Sequence, residues 1–188
     1  MIVNHPLILA SKSPRRQQLL ADLGLEFSIK VKDTDEIYPD DLAKEKVPEY
    51  LAKLKAEAFL GELNDEILIT SDTIVLLENE ILGKPKDRED AFLMLKKLSG
   101  KMHLVITGVC LLSTAKEACF SDVTKVYFKP ISDEEIRYYL DRFKPYDKAG
   151  SYGIQEWIGM TAIEKIEGSY FNVMGLPVHR VYEELQKF

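Results

Sequence analysis

Two rhythms of apolar residues alternate along the chain. Residues 6–10, PLILA, are a short apolar run fit for a buried strand. Leu19, Leu20 and Leu23 then recur at helical spacing, behind Ser13 as N-cap and Pro14 at the first helical position, with Gly24 as a stop. Residues 26–31, EFSIKV, alternate as a strand does, and residues 32–41 form an acidic loop. Val47, Tyr50, Leu51, Leu54 and Ala58 give one apolar face to a helix over residues 47–60. A long β-rich stretch at 66–78 turns into ILGKP. Residues 87–100 read as a helix, apolar at Ala91, Phe92, Met94, Leu95 and Leu98 and closed by Gly100. Residues 103–113 and 119–129 are the strands of a hairpin. Residues 132–143 open on a capping box, Ser132 with Glu135, and continue as a helix. Residues 145–159 are glycine-punctuated and loop-like, residues 161–168 a strand, and a terminal helix starts near Pro177.

Strands and helices alternate at first, and then the hairpin intrudes. The predicted class is therefore α/β, a mixed sheet with flanking helices. No repeat, low-complexity tract or linker composition marks a boundary, so residues 1–188 are read as a single domain. The hairpin and the helix after it are candidates for a second lobe.

Composition narrows the function classes. Apolar residues make up 46% and charged residues 30%, which is ordinary for a globular fold. The net charge of −6 argues against a nucleic-acid coat, which wants a basic face, but leaves room for a small basic nucleotide pocket. No apolar stretch approaches the roughly 18 residues of a membrane span, and no basic and apolar leader is expected at the start of the chain. The two cysteines, Cys110 and Cys119, lie in apolar, strand-like settings and are read as buried free thiols rather than a disulfide. The expected compartment is the cytoplasm.

Three features carry candidate chemistry. Arg15 and Arg16 stand where a helix begins, an end at which cations are unfavourable by about 0.3–1 kcal/mol. An anionic ligand there would reverse that sign, because first-turn N–H groups and guanidinium forks both match phosphate oxygens; otherwise both arginines are ordinary solvated charges. Asp72 interrupts the apolar run ILITSDTIVLL, and a buried carboxylate is costly unless paired or metal-bound. It reads as a metal ligand or general base, against a bulge or a structural salt bridge. Lys55 and Lys84, the latter fixed between glycine and proline in LGKP, could neutralise phosphates, though a lone lysine is commonly a surface charge. Asp33, Asp35 and Glu36 gain interest only beside Asp72, since hard cations such as Mg²⁺ take oxygen ligands. The loop DKAGSYGIQ offers Asp147, Lys148, Gly150, Gly153 and Gln155, whose amide can read a base edge. No P-loop, GxGxxG, HExxH or CxxC pattern occurs, and His5, His103 and His179 lie far apart without a triad pattern. These pieces suit a magnesium-bound polyphosphate without choosing between hydrolysis, transfer and binding.

Together LASKSPRRQQLL, SDTIVLLENEILGKP, MLKKLSGKMHLVITGV, DKAGSYGIQ and IEGSYFNVMGLP resemble the Maf family of nucleoside triphosphate pyrophosphatases, in family order and over nearly the whole chain. The resemblance implies a fold like that of the inosine triphosphate pyrophosphatases, two lobes around a central cleft. It implies cleavage of a nucleoside triphosphate to monophosphate and pyrophosphate with a divalent cation, Mg²⁺ or alternatively Mn²⁺ or Co²⁺. By position, Asp72 matches the catalytic residue that activates water, and Arg15, Thr73 and Gln155 match substrate-selecting positions. Ser11, Ser13, Arg15, Arg16, Lys55 and Lys84 match phosphate-binding positions, Asp72 and Glu36 metal-binding ones, and Asp147 a further pocket position. The DKAGSYGIQ form resembles the branch acting on dTTP and UTP. Ser71 stands where the family usually has alanine, and Glu156 and Trp157 follow Gln155 where a glycine is usual. That departure leaves 5-methyl-UTP, CTP or 7-methyl-GTP as alternative substrates. A nucleotide-sensing regulator of cell division is the alternative of a different class. The resemblance is compatible with a homodimer and implies neither a nucleic-acid polymer nor a membrane as partner.

Overall fold

The structure, a computed structural model, describes residues 4–188; the start of the chain, residues 1–3, on which the leader expectation partly falls, lies outside the described residues. The strands are β1 (Leu7–Leu9), β2 (Phe27–Ile29), β3 (Ile67–Leu77), β4 (Glu80–Leu82), β5 (Met102–Leu112), β6 (Glu117–Phe128) and β7 (Ile163–Glu167). The helices are α1 (Pro14–Asp22), α2 (Val47–Glu57), α3 (Arg88–Leu98), α4 (Asp133–Phe143), α5 (Trp157–Ala162), α6 (Tyr170–Met174) and α7 (Val178–Leu185). Single 3₁₀ turns occupy Lys44–Lys46 and Ala149–Ser151. The strands form one sheet in the order β2-β1-β3-β5-β6-β7, with β4 pairing β3. β1 runs parallel to β2 and β3, whereas β3–β4 and β6–β7 are antiparallel, so the sheet is mixed as expected.

The chain divides into two compact units. One comprises Met1–Asp72, Thr107–Asp122 and Gly175–Phe188; the other comprises Thr73–Ile106 and Val123–Met174. The boundaries fall inside β3, β5 and β6, which is why no linker composition announces them.

In the first unit, β1 is buried along its whole length and registers Leu9 against Ile69 of β3. α2 lays Leu51, Ala52 and Ala56 on the sheet, where Ala52, Ala56 and Phe59 pack with Ile8, Leu68 and Cys110. Contact is close because Gly108 of β5 has no side chain: a Cβ there would lie 2.2 Å from the Pro48 carbonyl carbon. The buried Thr70 hydroxyl donates to the Ala52 carbonyl at 2.6 Å and ties strand to helix. α1 begins at Pro14, but the Ser13 side chain makes no capping bond. Its backbone N–H instead donates to the Ser11 hydroxyl at 3.2 Å.

The cysteine expectation is overturned: Cys110 and Cys119 form a disulfide. The Ser113 N–H donates to the Lys116 carbonyl at 2.8 Å, closing a tight turn at residues 114–115. Counting back along both strands from that turn sets residue 110 opposite residue 119, with Cα atoms 4.1 Å apart. Periodicity alone does not fix a hairpin register, so each cysteine looked solitary.

In the second unit, α3 and α4 bury Leu95, Leu98, Ile136, Tyr139 and Leu140 against Val75, Leu77, Val126 and Phe128. α4 carries the expected capping box between Ser132 and Glu135. Two short helices escaped the sequence reading. α5 runs from the end of the glycine-punctuated segment into Thr161 and Ala162, where the sequence pattern places the start of the strand, and α6 precedes the terminal helix; both are too short to show a helical period.

Candidate active site

Asp72 and Thr73 are the only residues of β3 that are not buried. The other ten residues of this strand are apolar or hydroxylic, so the strand itself supplies no charged partner for the carboxylate; α2 does. Lys55 sits one turn after Leu51 and Ala52, on the sheet-facing side of the helix, and its Nζ lies 2.7 Å from Asp72 Oδ1. The same ammonium lies 2.8 Å from Glu36 Oε1, which the acidic loop delivers. Asp72 and Lys55 are largely covered, at 14% and 18% side-chain exposure, while Glu36 is 55% exposed. Two carboxylates thus converge on one cation, at a point where the structural salt bridge and the functional reading of Asp72 coincide.

Arg16 completes this cluster from behind. Its Nε donates to the Gly175 carbonyl at 2.8 Å and its Nη1 to the Ser71 carbonyl at 2.9 Å. The guanidinium fork therefore holds the backbone immediately before Asp72. Burial pulls the Arg16 pKa down, and the Asp72 and Glu36 carboxylates oppose that shift. Arg15, the neighbouring cation, is half-buried, as is Ser13, and Ser11 is buried. Ser11 also accepts from the Gln17 side-chain amide through its carbonyl, at 3.1 Å. The first unit thus gathers Arg16, Glu36, Lys55 and Asp72 into one network, with Ser11, Ser13 and Arg15 at the start of α1.

The second unit carries the other candidates. Thr73 follows Asp72 on β3. Lys84 is exposed in the loop after β4. That loop is joined to the DKAGSYGIQ segment by the Gly150 N–H, which donates to the Gly83 carbonyl at 3.1 Å. Gly150 has φ of 66° and meets Val75 so closely that a Cβ would lie 2.9 Å from its Cγ2. Asp147 pairs with Lys148 at 2.8 Å, and Gln155 is exposed.

Sequence reasoning missed several supports. The Gly175 and Ser71 carbonyls left no signal, since backbone acceptors have no residue type. Tyr139 looked like a plain core residue of an amphipathic helix, yet its hydroxyl contacts Glu156 and the Gly153 N–H. His103, read as structural, is buried with its Nε2 2.7 Å from the Tyr152 hydroxyl, and burial drives its pKa down to about 3. Cys110, Glu117 and Cys119 lie close enough together to suggest a metal site, but the disulfide consumes both sulfurs and Glu117 pairs with Lys53 at 2.7 Å.

The family model for Maf-like proteins matches residues 6–188. The chain belongs to the Maf family. This Maf chain is 57% identical over 182 residues to the dTTP/UTP pyrophosphatase of Flavobacterium johnsoniae, covering 96% of the chain and 94% of that relative. It is 54% identical to the protein of the same name from Phocaeicola vulgatus, covering 97% of the chain and 96% of the relative. Among solved structures, the Maf chain resembles the Ham1 protein of Staphylococcus aureus, with a TM-score of 0.55 at 14% identity, covering 97% of this chain and 98% of that one. A Ham1 protein from Coxiella burnetii gives a TM-score of 0.51 at 13% identity, covering 98% and 100%. At such identities the likeness concerns the fold, a mixed open sheet flanked by helices.

Proposed function

We propose that this Maf chain is a nucleoside triphosphate pyrophosphatase. It hydrolyses a nucleoside triphosphate to the monophosphate and pyrophosphate, with dTTP and UTP as its favoured substrates. The observation that carries the reading is the Lys55 ammonium held between Asp72 and Glu36, in a chain whose relatives are named dTTP/UTP pyrophosphatase.

The residues fit a divalent cation, because Asp72 and Glu36 are hard oxygen donors already focused on one positive charge. They would hold Mg²⁺, which when bound neutralises phosphate charge and polarises the phosphorus centre. Asp72 orients the attacking water and accepts its proton, and Lys55 keeps the carboxylate aimed. Water adds at the α-phosphorus as the bond to the bridging oxygen breaks, and pyrophosphate leaves with that oxygen. Ser11, Ser13, Arg15, Lys55 and Lys84 contact phosphates. Arg16 adds charge to the phosphate field while fixing the strand before Asp72. Arg15, Thr73 and Gln155 select the base, and Asp147 lines the pocket. The proposed location is the cytoplasm; among the described residues no helix is long and apolar enough to cross a membrane.

The test is pyrophosphate release from a panel of dTTP, UTP, CTP, 5-methyl-UTP, 7-methyl-GTP and purine triphosphates with Mg²⁺. Fast release from dTTP and UTP supports the reading. Release confined to another base keeps the reaction and changes the substrate. Tight nucleotide binding without turnover replaces the enzyme by a sensing protein.

A further inference from the structure

Glu156 follows Gln155 where the resemblance leads one to expect a glycine, and unlike the exposed Gln155 its side chain is partly buried. Its Oε2 accepts a hydrogen bond from the Tyr139 hydroxyl, and its Oε1 lies 3.1 Å from Lys148 Nζ. The same Tyr139 hydroxyl oxygen accepts the Gly153 N–H at 3.1 Å. Residues 153 and 156 are therefore pinned to one phenol, with Ile154 and Gln155 between them. The Glu156 N–H donates to the Gly153 carbonyl at 3.0 Å, so these four residues form a tight turn.

The surroundings are shaped to this clamp. A Cβ on Gly153 would lie 3.0 Å from the Glu156 carboxyl carbon and 3.1 Å from Lys148 Cε, so glycine leaves the room that the ion pair fills. A Cβ on Gly159 would lie 1.7 Å from the Ile154 carbonyl oxygen, so α5 can seat against the turn only without one. Lys148 is 11% exposed and Glu156 18%, so their ion pair offsets part of the water each has lost, with the Tyr139 hydroxyl doing the same for Glu156. Lys148 also reaches Asp147, which extends the clamp back along the loop.

We propose that Glu156 is a positioning residue: its carboxylate, gripped by Tyr139 and Lys148, fixes the 153–156 turn and so sets where Gln155 presents its amide to the nucleotide base. This rests on the pyrophosphatase reading and on Gln155 as a selecting residue. Glu156 acts through the turn and does not itself touch the base.

The experiment compares steady-state pyrophosphate release from dTTP, UTP, CTP and ATP for the wild type, Glu156→Ala, Glu156→Gln and Tyr139→Phe, with thermal melting of each. Glu156→Ala and Tyr139→Phe should raise KM for dTTP about tenfold, flatten the dTTP-to-ATP ratio of kcat/KM by a similar factor, and change kcat far less. Glu156→Gln keeps an acceptor for Tyr139 and should restore much of the ratio. Lower melting temperatures with unchanged KM and unchanged base ratio would overturn the proposal and leave the clamp merely structural. Should Glu156→Ala fail to fold, the isosteric Glu156→Gln and Tyr139→Phe decide on the same readouts. A wild type that releases no pyrophosphate from any triphosphate removes the pyrophosphatase reading itself, whereas an active wild type with indifferent variants removes only this inference.

Discussion

At the scale of single residues, the site is built from side chains whose partners lie far away in sequence. Arg16 is the clearest case. A guanidinium presents donors in a fixed fork, and here two of them serve backbone carbonyls contributed by β3 and by Gly175. A lysine's donors all radiate from one nitrogen, so it does not reproduce the separated Nε and Nη1 that match these two carbonyls. Arg16→Lys should therefore destabilise the fold by about 1–3 kcal/mol, the cost of a buried acceptor left unmade, as read from urea midpoints. An unchanged midpoint would show that the carbonyls find other donors. Asp72 was legible in the sequence because aspartate is rare inside an apolar strand run, and Lys55 was legible as a candidate. That Lys55 pairs with Asp72 and Glu36 at once was not legible, since nothing in a helix face names the residue it meets. Tyr139 was illegible for a different reason: a phenol in a core position has the same pattern value whether or not its hydroxyl is used.

At the scale of elements, close packing decides what the sequence tolerates. Gly108 lets α2 approach β5 until backbone meets backbone. Gly108→Ala cannot be absorbed by a flexible side chain, because the nearest atoms are the Pro48 carbonyl and the Glu49 nitrogen. It should cost at least about 3 kcal/mol, the upper end for overpacking, measurable by chemical denaturation. The Cys110–Cys119 bridge joins positions nine residues apart on β5 and β6. Breaking it with Cys119→Ser should lower stability by about 2–3 kcal/mol on a chain-entropy argument, and a reducing agent should shift the wild type but not the variant. The long elements were readable, because strand runs and helical periods persist over many residues: β3, β5, β6 and helices α1 to α4 fall where the pattern puts them. α5 and α6 were not, and neither was the hairpin register that brings the cysteines together.

At the scale of the whole molecule, the mixed sheet and a second lobe were expected from the sequence, but where the two units divide was not readable, because the boundaries cut through continuous strands. Stability as a function of pH belongs to this scale. His103 is buried and neutral, its pKa lowered from 6.5 to about 3 by desolvation. Between those values the unfolded chain binds the proton and the folded one does not, so stability rises with pH and is complete above about 6.5. Falling pH should therefore weaken the fold from near 6.5 downward. Replacing His103 by Gln should reduce the difference between denaturation midpoints at pH 7.5 and pH 5 by an amount of order 1–2 kcal/mol. An unchanged difference would assign the acid sensitivity to other groups. In the proposed mechanism a carboxylate on β3, held by a lysine of α2, makes this fold a pyrophosphatase. The most direct measurement is pyrophosphate release from dTTP and UTP by the wild type and by Asp72→Asn, with nucleotide binding followed in parallel. Rapid release by the wild type is expected, with a loss of about a hundredfold to ten-thousandfold in the variant and binding largely kept. Near-normal release by Asp72→Asn would contradict that mechanism.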